Sequence, residues 1–454
     1  MTWHTIDALE VDPSAVRVYA EGWQSWSPTT WWAPGAQHHP QHRPQDQLEH
    51  SMRFRPGTVL PATGRPTSWP TSWQGEGLLV VDPGTGAPAR LYGDEDAEES
   101  VITVRAALEG SELVISAESD LVARTAVDPV AALTGYGDAF AARAGVGELS
   151  APSVWCSWYR YFEDVTAHDV LENSAALRAR QIPVDVVQID DGWSAGLGEY
   201  LRPSGGFPSL ERTVGDLLES GRRVGIWLAP FLVGSDTTLA RQHPEWLLGE
   251  AGRNWGQQLR ALDVTHPGVR ELLLGAVAGL RTLGVDYYKL DFLYAGAVPG
   301  SRNEDISSVA AYRSGLRLLR EAAGQDAYLV GCGAPILPSV GLVDAMRVSR
   351  DTFHEGFDDG SDGLRGRMSL VARAWQHGRF WVNDPDCLVA RPTYSQRERW
   401  ADAVSTFGGL RSCSDRVSEL DAWGLETTRR LLGDPPPASP FDDLTVGAAL
   451  EESR

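Results

Sequence analysis

The run Val285-Asp286-Tyr287-Tyr288-Lys289-Leu290-Asp291 is apolar and aromatic, then closes on a lysine and, two residues later, a carboxylate. In an extended segment Lys289 and Asp291 share one face, and a cation there favours the ionised carboxylate that a nucleophile requires. Taken alone, Asp291 reads more simply as a strand-end helix cap or as half of a structural Lys-Asp pair. Arg347 and Asp351 stand four apart where a second run passes into a loop. There Arg347 would anchor a ligand while Asp351 delivers a proton. An adjacent arginine lowers a carboxyl pKa, the opposite of what a proton donor needs, unless the loop turns Asp351 away. Asp190-Asp191 ends a third apolar run and invites a Mg²⁺ reading, but no glycine-rich phosphate loop accompanies it.

These groups need elements that bring them together from across about two hundred residues. From residue 153 onward the pattern alternates strand, turn and helix. Eight strand candidates fall at 154–158, 183–189, 224–229, 285–290, 327–330, 345–349, 380–382 and 405–407. Thr166 with Asp169 reads as a capping box, and Pro267 opens a helix with Val269, Leu272, Leu273, Ala276, Val277 and Leu280 at helical spacing. Eight such units match a (β/α)8 barrel, whose strand carboxyl ends form one mouth. Asp190, Asp191, Lys289, Asp291, Cys332, Arg347, Asp351, Asn383 and Asp384 would then meet there. A mouth dense in carboxylates and tryptophan suits glycoside hydrolysis, in which one carboxylate attacks or activates water and another protonates the leaving oxygen. His354, Glu355 and His377 are spaced too irregularly for a zinc site, and the run 358–363 lacks a calcium ligand at Gly360, so it reads as a solvated acidic loop.

The formal net charge of -21 argues against a nucleic-acid partner and favours a neutral ligand. Seventeen tryptophans supply flat faces of the kind that stack on sugar rings, although most must fill cores. The four cysteines imply no zinc site or disulfide framework, and no stretch is long and apolar enough to span a membrane. With no signal-peptide pattern at the start, the expectation is a cytoplasmic protein with reduced thiols. Short alternating runs before residue 147 suggest an antiparallel β-sandwich, interrupted by a mobile loop at 37–47. The proposed division is 1–147 for the sandwich, 148–432 for the barrel and 433–454 for a short acidic tail, with helical order stopped at Asp434-Pro435-Pro436-Pro437.

Taken in order, the motifs resemble glycoside hydrolase family 36, the α-galactosidase family. They are Gly22-Trp23-Gln24-Ser25-Trp26-Ser27, Trp155-Cys156-Ser157-Trp158-Tyr159, Ile189-Asp190-Asp191-Gly192-Trp193, Tyr288-Lys289-Leu290-Asp291, Gly331-Cys332-Gly333, Arg347-Val348-Ser349-Arg350-Asp351, Gly408-Gly409 and Ser414-Asp415. The resemblance implies a retaining, exo-acting α-galactosidase with Asp291 as nucleophile and Asp351 as general acid and base. It further implies that Asp190 and Asp191 grip sugar hydroxyls, that Lys289, Arg347, Trp155 and Cys332 line the same subsite, and that Trp23 or Trp26 reaches the rim. Neither metal nor cofactor is implied, and the partner is a small carbohydrate; homo-oligomer formation is left open. Compared with the family, the N-terminal domain is short, the C-terminal β domain is largely absent, and Cys156 replaces a common Asn. An α-N-acetylgalactosaminidase or other α-glycosidase, and a catalytically silent galactose binder, are the alternative readings.

Overall fold

The barrel strands are short apolar runs that pair side by side in parallel. They are β1 (Ser153–Cys156), β2 (Val186–Ile189), β3 (Arg223–Leu228), β4 (Val285–Leu290), β5 (Tyr328–Gly331), β6 (Ala345–Arg347), β7 (Val382–Asp384) and β8 (Arg411–Cys413). Their order is β7-β6-β5-β4-β3-β2-β1-β8. The Asn383 carbonyl accepts from the Gly409 and Leu410 N–H groups at 2.9 Å each, bringing β7 to β8. This computed structural model describes residues 3–34, 52, 55, 71–200, 202–254, 256–352 and 366–453. The loop expected at 37–47, His354, Glu355 and the acidic run 358–363 lie outside the described residues.

Side-chain alternation divides each strand between two cores. Val154, Val186, Tyr287, Tyr328, Val330, Ala345, Val382 and Leu410 fill the barrel interior. Their neighbours Trp155, Val187, Tyr288, Leu329 and Met346 pack outward into the larger core with the helices. Tyr287 and Tyr328 stack at 5.4 Å across the interior. Gly225 makes this possible, because a Cβ there would sit 2.7 Å from the Tyr287 ring.

The expected helices form. Ala167–Ala179 opens on the Thr166–Asp169 capping box, and Pro267–Leu283 ends at Gly284 with φ 102°. Other expectations need correction. Residues 405–407 are the last turn of helix Arg397–Phe407, and the eighth strand follows the two glycines. Trp400, Ala401, Ala403, Val404 and Phe407 are buried at helical spacing, which outweighs the β-branched look of the short run. The segment after the triple proline carries a helix, Asp443–Glu452, whose Val446, Ala449 and Leu450 are buried. Arg367 pairs with Glu452 at 2.6 Å, and Arg17 Nε donates to the Ser453 carbonyl. Between β3 and β4 the chain also makes a three-stranded antiparallel excursion, Leu232–Gly234, Leu247–Asn254 and Gln257–Leu262.

Ahead of the barrel lie two antiparallel sheets of four and five described strands. Val18, Leu79, Val81, Tyr92, Val104, Leu113 and Ile115 pack between them. On the five-stranded sheet the alternate residues Tyr19, Leu78, Val80 and Leu91 face the other way and join the barrel's core. Helix Pro129–Ala144, not anticipated from sequence, lies at that junction: Tyr136 meets Trp375 at 6.3 Å. The Gly22–Ser27 motif is fixed onto the segment after β5. Ser25 N donates to the Ala334 carbonyl at 2.9 Å, and Ile336 N donates to the Trp23 carbonyl at 3.0 Å. Arg373, fully buried, completes the joint through Glu21 Oε1 (2.8 Å), the Ser25 and Val348 carbonyls, and Thr29 Oγ1.

Candidate active site

Asp291 extends the inward face of β4, and its N–H donates to the Leu228 carbonyl of β3 at 2.7 Å. Both carboxylate oxygens accept local donors: Oδ2 from Trp227 Nε1 at 3.0 Å, Oδ1 from the Phe292 N–H at 2.8 Å. The neighbouring Cys332 thiol also favours the charged form. Burial pushes the Asp291 carboxyl above its ordinary range; Lys289 pulls it down and the Asp351 charge pushes it up. Donors to the charged form therefore compensate part of a desolvation cost, leaving a carboxylate that is 7% exposed and held in one orientation.

Lys289 shares the face of Asp291, as alternation requires, but its direct partner is Asp190 Oδ2 at 2.9 Å. The same oxygen receives Gln188 Nε2 at 2.6 Å and the Cys156 thiol at 3.3 Å, while Oδ1 receives the Asp191 N–H. Asp190 is thus 1% exposed with both oxygens engaged by the protein. Asp191 is the more open member of the pair. Burial first, then the charges of Asp190, Glu163 and Asp291, push it up to about 7. Beside it a cleft of about 450 Å³ is lined by Glu163, Ser194, Ser204 and Gln257.

Past β6, Arg347 is enclosed, and its Nη2 stands 3.1 Å from Asp351 Oδ1 and 3.2 Å from Asp386 Oδ2. Asp351 is the exposed partner, with 31% of its side chain accessible. Asp384, aligned with Arg347 across β6 and β7, is pushed up to about 6 by burial, against the pull of Arg347. Cys332 lies between the two acidic centres, beside Asp291 and 4.0 Å from Arg347 Nη1.

Asp190, Asp191, Lys289, Asp291, Cys332, Arg347 and Asp351 therefore gather at one end of the barrel. Trp155 does not. Its indole packs outward in the helix-facing core, and its N–H goes to the Asp415 carbonyl at 2.9 Å. The same alternation that aligns Lys289 with Asp291 sends Trp155 away from Cys156. Of the two N-terminal tryptophans, Trp23 lies in the core with Arg55 over its ring at 5.3 Å. Trp26 lies nearer the site: it meets Phe292, the residue after Asp291, edge-on at 5.1 Å. Gly333, at φ 54°, leaves the space, since a Cβ there would lie 3.0 Å from the Trp26 ring. The Trp26 N–H is buried with no partner among the described residues.

Sequence reasoning gave no role to Trp227, Gln188 or Tyr159. Trp227 was findable, because it pairs in register with Lys289 on the adjacent strand and so shares the inward face. Tyr159 was not, since it acts through a loop contact to Asp386, more than two hundred residues away in sequence.

Barrel, N-terminal sheets and a carboxylate-lined mouth that holds one lysine and one arginine define a (β/α)8 protein with a carbohydrate-type site. Residues 146–318 match the Melibiase family model. The α-galactosidase 1 of Pediococcus pentosaceus is 28% identical over 261 residues, 55% of this chain and 32% of that one. The α-galactosidase of Thermus thermophilus, solved with p-nitrophenyl α-D-galactopyranoside, superposes with a TM-score of 0.68 at 27% identity, covering 95% of this chain and 91% of that chain. Its stachyose complex gives 0.67 at 29% identity, covering 93% and 90%. The chain is melibiase-like, similar to that family over residues 146–318 and to α-galactosidase structures over nearly its whole length. It spans about a third (32%) of the Pediococcus relative's length but nine-tenths (91%) of the Thermus structure.

Proposed function

We propose that the protein is a retaining α-galactosidase that releases terminal α-linked galactose from neutral oligosaccharides or glycosides. The observation that carries this reading is the unlike environment of two carboxylates at one mouth. Asp291 is enclosed and receives the Trp227 Nε1 and Phe292 N–H donors. Asp351 is partly open on the other side of Cys332 and Arg347. Asp291 attacks the anomeric carbon, forming an ester bond as the glycosidic C–O bond breaks, while the proton of Asp351 goes to the departing oxygen. Water then gives its proton to Asp351 and its oxygen to the anomeric carbon, and the ester bond breaks. Asp191, Lys289 and Arg347 orient the sugar, with Trp26 at its rim.

Similarity to a structure solved with an aryl α-galactoside supports galactose as the sugar. Assay of the purified protein against aryl α-galactoside, α-N-acetylgalactosaminide and α-glucoside tests the reading. Cleavage of the galactoside well above the others is expected. Preference for the N-acetyl sugar would reassign the substrate, and galactose binding without any cleavage would make the protein a lectin-like binder.

A further inference from the structure

Asp386 has a backbone φ of 90°, a left-handed conformation that a non-glycine residue holds only when its surroundings enforce it. Its carboxylate explains the enforcement. Oδ2 accepts from the Tyr159 hydroxyl, from the Thr352 N–H at 2.9 Å and from the Thr352 hydroxyl at 2.9 Å, and it lies 3.2 Å from Arg347 Nη2. Oδ1 accepts from the Cys387 N–H at 2.7 Å, and the Asp386 N–H is itself held by Asp384 Oδ1. Thr352 directly follows Asp351. One buried carboxylate, 3% exposed, thus grips both the arginine that faces Asp351 and the backbone that carries it.

We infer that Asp386 is the positioning residue for the acid-base carboxyl: it shares the Arg347 guanidinium with Asp351 and fixes the Asp351–Thr352 turn. The inference rests on the glycosidase reading and removes its main electrostatic difficulty. An arginine paired with Asp351 alone would hold that carboxyl ionised, unable to donate. With Asp386 sharing the guanidinium, two carboxylates face one cation. The buried one is occupied by three O–H and N–H donors on Oδ2, so Asp351, the exposed one, is the carboxyl placed to exchange a proton with the leaving group. Burial raises the Asp386 carboxyl above its ordinary range and the Asp351 charge adds to the rise, against the pull of Arg347, Tyr159 and Thr352.

The test uses leaving-group dependence, which a purely structural role would not change. An activated leaving group departs without a proton, whereas an alkyl sugar does not. kcat/KM reports the first bond-breaking step. Asp386→Asn puts an amide or a neutral oxygen against the Tyr159 and Thr352 donors. It is expected to lower kcat/KM for an unactivated α-galactosyl disaccharide about 100-fold, and for 2,4-dinitrophenyl α-galactoside less than about 5-fold. Thr352→Val, which removes one donor at nearly constant volume, is expected to show the same asymmetry at about 10-fold. It carries the test if Asp386→Asn does not fold. Equal losses on both substrates overturn the positioning role alone. A wild-type protein that cleaves neither substrate overturns the glycosidase reading and, with it, this inference.

Discussion

The Lys289 ammonium pairs with Asp190 at 2.9 Å rather than with Asp291 two residues along its own strand. The cation therefore acts on Asp291 through space, while its direct bond ties the ends of β2 and β4 together. Both groups are enclosed, with 12% and 1% of their side chains exposed. Removing either partner leaves the other charge buried, which costs about 3–5 kcal/mol. Lys289→Met is expected to lower stability by about that amount in urea unfolding and to reduce kcat/KM at least about 100-fold.

Trp227 Nε1 donates to Oδ2 of Asp291. Trp227→Phe keeps most of the aromatic bulk and removes the N–H. A donor to the charged form lowers a carboxyl pKa, so its loss raises that of Asp291. The acidic limb of the kcat/KM profile should move to higher pH by about one unit, with kcat at neutral pH lowered about tenfold.

Asp191 carries a stability cost that depends on pH. Its folded pKa is raised to about 7, from an ordinary value of 3.8. The fold therefore bears the cost of the ionised group in full above about pH 7 and loses it as pH falls toward 3.8, so this group adds stability on acidification. Asp191→Asn should raise stability at pH 7.5 by about 2 kcal/mol relative to the wild type, with the difference vanishing near pH 4. The same variant should lose substrate affinity. Thermal unfolding of both proteins across this pH range checks the sign.

Much of the barrel was legible because buried parallel strands are short apolar runs with charge at their carboxyl ends, as in 285–291. The eighth strand was misplaced because 405–407 is too short for periodicity to separate a strand from the last turn of a helix. The tail helix was missed because the triple proline ends one helix without forbidding another, and Val446, Ala449 and Leu450 find their partners only in the folded chain. At the mouth, Asp291, Lys289, Asp190, Asp191 and Arg347 were readable from strand ends. Trp155 was misjudged because a motif match ignored the two-residue alternation that turns it outward. The role of Asp386 depends on contacts to Tyr159 and Thr352 from distant elements, which no local pattern in the sequence shows.

Arg373 joins the Gly22–Ser27 motif to the end of β6, pairing with Glu21 in a site where neither side chain is exposed. Arg373→Met should lower stability by about 3–5 kcal/mol. Because the motif holds Trp26 against Phe292, protein that still folds should show weaker galactose binding and faster proteolysis near the N-terminus.

Asp291→Gly in the presence of azide tests the central claim most directly. The variant should lose nearly all turnover of an aryl α-galactoside, and azide, filling the space of the missing carboxylate, should restore part of it and yield β-galactosyl azide by NMR. Turnover near the wild-type rate in the variant without azide would contradict the assignment of Asp291 as the nucleophile.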